Sequence, residues 1–179
     1  MRLPLKLHPD FRCDAVSRLD VDVIRSAGRL SLAYRITGAA GGLYLPPSES
    51  PARADDLWKR TCFEAFVRPP GAQAYFEFNV SPSRHWATYQ FDGYREGMRS
   101  PPEAAQPRIE GRVTDDGYAL DVALDLSPLP GLPLDAPWHV GVSAVIEAAD
   151  GGRSYWALTH PPGKADFHHA DGFSLVLAP

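Results

Sequence analysis

Apolar and polar residues alternate with a period of two from one end of the chain to the other, and the 3.6-residue period of an amphipathic helix is scarce. DVDVIRS (20–26) and RLSLAYRITG (29–38) read as an opening antiparallel pair joined through Ala27-Gly28, with Leu30, Leu32, Tyr34 and Ile36 on one face. Further strands are predicted at 61–67, 75–80 and 85–91. RIEGRVTDDGYALDVALDL (108–126) predicts a hairpin turned at Asp116-Gly117, a dipeptide suited to a type I′ turn. WHVGVSAVIEA (138–148), RSYWALTH (153–160) and FSLVLA (173–178) complete the set, and the long loops between strands are rich in proline. About nine or ten strands, with turns about every 8–12 residues and no internal repeat or linker, predict one all-β domain over residues 1–179. The expected architecture is a two-sheet antiparallel β-sandwich of jelly-roll type.

The segment from 56 to 91 carries the candidate chemistry. A symmetric turn at RPPGAQ (68–73) would set Glu64 opposite Glu77, Cys62 opposite Asn79 and Phe66 opposite Tyr75. The turn SPSR (81–84) would then place Trp86 beside Asn79 and Thr88 beside Glu77. One face would thus hold Cys62, Glu64, Phe66, Tyr75, Glu77, Asn79, Trp86, Thr88 and Gln90. The core face would hold Phe63, Ala65, Val67, Phe76, Phe78, Val80, Ala87, Tyr89 and Phe91. Like charges directly opposite each other on a sheet destabilise it, by a few tenths to ~1 kcal/mol. Such a pair serves a ligand, or it is neutralised from above by Arg35, Arg95 or Arg153, as in a scaffold without a small ligand. Carboxylates beside Trp and Tyr suit a sugar, whose hydroxyls need acceptors and whose C–H face stacks on an aromatic ring.

Composition removes several other classes. The 179 residues are 44% hydrophobic and 22% charged, as in a soluble globular protein that buries roughly 70% of its unfolded surface. A net charge of −4 offers no basic stripe for nucleic acid, and no apolar run approaches the ~20 residues of a membrane helix. The start, MRLPLKLHPDF, is broken by His8, Pro9 and Asp10 before a signal-peptide core could form, so a cytoplasmic location is expected. Cys13 and Cys62 belong to no CxxC pair or Cys/His cluster and are expected as free thiols. His160, His168 and His169 with Asp166 could hold a metal, and Asp55, Asp56, Asp115 or Asp116 a calcium ion. A hydrogen-bonded loop locked by His160 and Asp166 competes with the first reading, and no cofactor or metal is expected. Glu64 and Glu77 could stand near the ~5 Å separation of a retaining glycosidase, yet such enzymes set their acids across a cleft from separate elements. Ser81 has no histidine partner at a nucleophile elbow, so no catalytic residue is assigned.

Trp58 followed by Glu64 in WKRTCFEAFV, with EFNVSPS, SYWALTHP and DFHH, resembles the DOMON-like superfamily, in particular its stand-alone bacterial members. That group includes family 9 carbohydrate-binding modules and haem-binding cytochrome domains, and the resemblance covers most of residues 50–178. It implies a β-sandwich and, through the carbohydrate-binding modules, a sugar held between two aromatic side chains with acidic, amide and basic help. By position Trp58 looks like the first aromatic, Glu64 the acid, Asn79 the amide and Phe167 the second aromatic. Glu77 departs from the pattern, standing where a basic residue is expected, and Phe167 replaces a tryptophan. The haem-binding relatives use Met with His or Lys as axial ligands, for which this chain offers Met98 and the three late histidines. The full candidate set is Trp58, Glu64, Glu77, Asn79, Trp86, Arg95, Trp156, His160, Phe167 and His168, although Trp156 also alternates as a core residue does. The expected function is recognition of a small polar, carbohydrate-like ligand without turnover, the alternatives being a partner-binding scaffold or a haem domain.

Overall fold

Alternation along β2 (Val16–Ser26) and β3 (Arg29–Gly38) sends Leu19, Val21 and Val23, then Leu30, Leu32, Tyr34 and Ile36, to one face, and all are buried. The computed structural model describes every residue from Met1 to Pro179 and contains eleven strands and no α-helix. The others are β1 (Arg2–Leu7), β4 (Cys62–Arg68), β5 (Tyr75–Val80), β6 (Trp86–Phe91), β7 (Arg108–Thr114), β8 (Gly117–Asp125), β9 (Trp138–Glu147), β10 (Arg153–Ala157) and β11 (Leu175–Leu177). All pairings between strands are antiparallel and follow one path, β6-β5-β4-β9-β10-β1-β2-β3-β8-β7, with β11 also on β9. The path curls until its two halves face each other. Tyr34 of β3 donates its hydroxyl to the Glu64 carbonyl of β4 at 3.1 Å, and its ring lies 4.8 Å from that of Phe63. Between the halves lies one apolar core built on Trp138, Leu19, Leu120 and Phe63. The fold is therefore the all-β antiparallel sandwich that the alternation predicts.

The hinge between the halves is β1, a strand the pattern does not announce. Arg2–Leu5 pair with β2, whereas Lys6 and Leu7 pair with β10. Pro4 lacks a backbone N–H, and it sits where β1 has a neighbour on one side only, so no ladder hydrogen bond is lost.

Register differs from expectation at three turns. Between β4 and β5, Glu64 pairs with Asn79 and Phe66 with Glu77, a shift of two residues that keeps every side chain on its expected face. Between β5 and β6 the shift is one residue: Val80 pairs with Trp86 and Glu77 with Tyr89. That loop closes through Ser81 N–H to the His85 carbonyl and Arg84 N–H to the Ser81 carbonyl, both at 2.9 Å, with Arg84 in the left-handed region at φ 75°. The extra residue reverses β6, so Trp86, Thr88 and Gln90 leave the polar face and Ala87, Tyr89 and Phe91 join it. Trp86, expected at the site, packs instead in the main core. In the β7–β8 hairpin Thr114 pairs with Gly117, so Asp115 and Asp116 form the turn rather than Asp116-Gly117. Gly117 opens β8 at φ 152°, where a Cβ would lie 2.1 Å from the Ile36 carbonyl oxygen.

These positions predict stability. Trp138→Ala and Trp86→Ala should each lower the unfolding free energy by about 3–5 kcal/mol in urea titrations, as large-to-small core changes do. Ile24→Ala, at a position 57% exposed, should stay within about 0.5 kcal/mol. A Trp86→Ala protein of wild-type stability would contradict the β6 register.

Candidate ligand-binding site

The β4–β5–β6 half of the sheet is buried on both faces. Its inner face joins the main core. Its outer face carries a second apolar cluster of Phe66, Tyr75, Ala87, Tyr89, Phe91 and Phe173, against which Phe167 and Leu57 pack from the loops. Cross-strand rows on this outer face set Ser143, Glu64 and Asn79 side by side, then Phe66, Glu77 and Tyr89. Where the loops part, a pocket of about 540 Å³ opens over these rows.

Six of the ten candidates line that pocket: Trp58, Glu64, Glu77, Arg95, Phe167 and His168. Asn79 shares the row of Glu64 without lining the pocket, and donates its amide N–H to Glu77 Oε1 at 2.8 Å. Three candidates fall elsewhere. Trp86 and Trp156 are core residues, and Trp156 turns inward because its neighbour Tyr155 faces the pocket. His160 stands outside, its Nε2 2.8 Å from the Lys6 carbonyl and its ring 6.3 Å from that of Phe167. Sequence reasoning missed Tyr89 and Phe91, which the reversed β6 brings in, and Tyr155, whose alternation with Trp156 was the available signal. Two other surface concavities, of about 290 and 460 Å³, contain none of the ten.

The loops that frame the pocket hold unusual backbone. Asp56 takes a left-handed conformation at φ 63° immediately before the 3₁₀ turn Leu57–Lys59, which projects Trp58 with 46% of its surface exposed. Arg95 is left-handed at φ 55°. Non-glycine residues in this region are disfavoured by roughly 1 kcal/mol or more, and such strain collects at ligand sites. Arg95 donates to Asp166 at 2.9 Å, and Asp166 also accepts from the Tyr94 hydroxyl and from the His168 N–H.

Electrostatics centre on two carboxyl groups. Glu64 and Glu77 are 3% and 6% exposed. No Lys or Arg lies within ion-pair distance of either, and Glu64 Oε1 has no hydrogen-bond partner. Burial holds the Glu64 carboxyl well above the usual range, the neighbouring Glu77 raises it further, and Arg95 opposes. Burial likewise pushes Glu77 up to about 7, against the Asn79 hydrogen bond and Arg95. The Tyr75 oxygen accepts from Arg95 N–H at 3.3 Å, which leaves its proton for His168 Nδ1 at 2.7 Å. His168 then carries its own proton on Nε2, 3.9 Å from Glu77 Oε2. Burial, and then the charge of Arg95, lower this imidazole to about 4.

No three His, Cys, Asp or Glu side chains converge on a point that could hold a metal ion. Met98 and His168 both line the pocket, but both His168 nitrogens face protein groups, Tyr75 and Glu77, so the geometry does not suit axial haem ligation. Cys13 and Cys62 are free thiols. No helix is long and apolar enough to cross a membrane.

Among solved structures the fold is similar to that of a candidate carbohydrate-binding protein from Bacteroides uniformis, at TM-score 0.64 and 11% identity, covering 96% of this chain and 83% of that one. It is also similar to a family 9 carbohydrate-binding module from Caldicellulosiruptor kristjanssonii in complex with cellotriose, at TM-score 0.51 and 10% identity, covering 82% and 67%. No protein-family model matches the sequence, and no curated protein matches it. At these identities the likeness defines the class of fold: an all-β antiparallel sandwich of the family 9 carbohydrate-binding-module type.

The buried acids predict a pH signature. A Glu77 carboxyl raised from its ordinary 4.5 to about 7 adds stability below pH ~4.5, and that stability is lost as pH rises through about 7. His168, lowered from 6.5 to about 4, acts oppositely: its contribution is present above pH ~6.5 and is lost as pH falls through about 4. Glu77→Gln keeps an acceptor for Asn79 and removes the first effect, together with the part of the Glu64 shift that Glu77 causes, which acts in the same direction. Its melting temperature should therefore rise relative to wild type by several degrees between pH 5 and pH 8. Parallel melting curves for the two proteins would show that Glu77 ionises normally.

Proposed function

We propose that this protein is a non-catalytic binding module of the DOMON-like type, and that it recognises a small carbohydrate-like ligand in the pocket above Glu64 and Glu77. The observation that carries the reading is the Glu64 carboxyl group: 3% exposed, facing a pocket of about 540 Å³, with Oε1 unpartnered. A buried polar atom without a partner is destabilising by about 1–3 kcal/mol, more when charged, and a ligand hydroxyl would relieve it. The scaffold alternative needed an arginine over the carboxylates. Arg35 instead pairs with Asp121 at 2.7 Å, Arg95 with Asp166 at 2.9 Å, and Arg153 reaches the Lys59 carbonyl.

The surrounding groups fit the task. Trp58, Tyr155 and Phe167 line the pocket as flat apolar surfaces for the C–H face of a sugar ring. Glu64 and Glu77 supply polar groups from rigid strands, Asn79 holds Glu77 from behind, and Arg95 supplies donors from the loop. The cellotriose complex of the similar family 9 module supports a sugar as the ligand class.

A thermal-shift screen against mono- and disaccharides tests this. A sugar at 100 times its dissociation constant adds about 2.7 kcal/mol, a melting shift of roughly 5–10 °C for a chain of this size. Trp58→Ala should lose most of that shift without loss of basal stability, since Trp58 is 46% exposed. No shift with any sugar would overturn the proposal.

A further inference from the structure

Charge pairing around the pocket is complete except at one point. Asp55 accepts from Arg53 at 2.9 Å and from the Tyr89 hydroxyl at 2.6 Å. Asp56 pairs with Lys59 at 2.6 Å, and Asp166 with Arg95 at 2.9 Å. Glu64 and Glu77 have no such cation. The basic group nearest to them is the His168 imidazole, 3.9 Å from Glu77 and held neutral by its surroundings. The orphaned buried atoms tell the same story. Glu64 Oε1 and Asn79 Oδ1 have no hydrogen-bond partner, and the Ser143 hydroxyl beside them in the same row is also without one. The floor therefore lacks hydrogen-bond partners, and no cation stands near enough to let its two acids ionise.

A protonated amine answers both, since it carries three donors, no acceptor and one positive charge. A sugar hydroxyl would fill an acceptor and leave both carboxyl groups protonated, whereas an ammonium would also take the place of a proton and let Glu64 ionise beside it. The walls are compatible with a cation, because the faces of Trp58, Tyr155 and Phe167 attract one. We infer that the pocket is built for an amine-bearing ligand, an amino sugar, with its ammonium seated on Glu64 beside Glu77. This rests on the carbohydrate reading and narrows it to a class.

The test is calorimetric titration with glucose, N-acetylglucosamine and glucosamine at about pH 6.5, below the ordinary range of an amine. It is run on wild type and on Glu64→Gln, with melting temperature confirming that the variant is folded. Expected is a glucosamine affinity at least about tenfold tighter than that of glucose, with N-acetylglucosamine no better than glucose and the preference lost in Glu64→Gln. Equal affinity for glucose and glucosamine would overturn the amine inference and leave the carbohydrate reading standing. A glucosamine preference that survives Glu64→Gln would overturn the seat assigned to the ammonium. Binding of none of the three would overturn both.

Discussion

A strand that alternates apolar and polar side chains ordinarily keeps its polar face in water, and β4 and β5 do not. Loops from beyond β6 and β10 cover their outer face, so Glu64, Glu77 and Asn79 are removed from solvent as fully as the core on the other side. Burying a carboxyl group without a partner is among the larger single penalties a fold can carry. The rest of the site follows from that constraint. The acids hold their protons, the imidazole beside them stays neutral, and the cations of the surrounding loops are engaged elsewhere.

The sandwich makes the constraint sustainable. Glu64 sits on β4, the strand that also receives the Tyr34 hydroxyl across the core and pairs along its length with both β5 and β9. A side chain on a central strand with two neighbours cannot swing out to water without breaking the ladder. The mouth is built differently, from loops with left-handed residues at Asp56 and Arg95 and an exposed indole at Trp58. Floor and mouth thus divide the labour: the strands hold fixed acceptors, and the loops supply contact surface.

Much of this was legible in the residues. Alternation located ten of the eleven strands, and the apolar parity of FEAFV and YFEFN placed Glu64 and Glu77 on the correct face even though the pairing was off by two. β1 escaped because Pro4 argues against a central strand, and its division between two partners is a tertiary fact. β6 was reversed because Trp86 and Tyr89 are equally suited to either face. The deciding feature, a left-handed Arg84 that lengthens the turn by one residue, has no glycine to announce it. The histidines show the same limit: His168 enters the pocket and His160 does not, and only the path of the 161–172 loop separates them.

The most direct test of the account is a carboxyl-carbon NMR titration of the free protein, with Glu64 and Glu77 assigned through their Gln variants. The account predicts that both titrate well above the ordinary glutamate range, with Glu77 near 7. Both residues titrating near 4.3, as solvated or ion-paired glutamates do, would contradict it, because the acids would then have a partner and no need of a ligand.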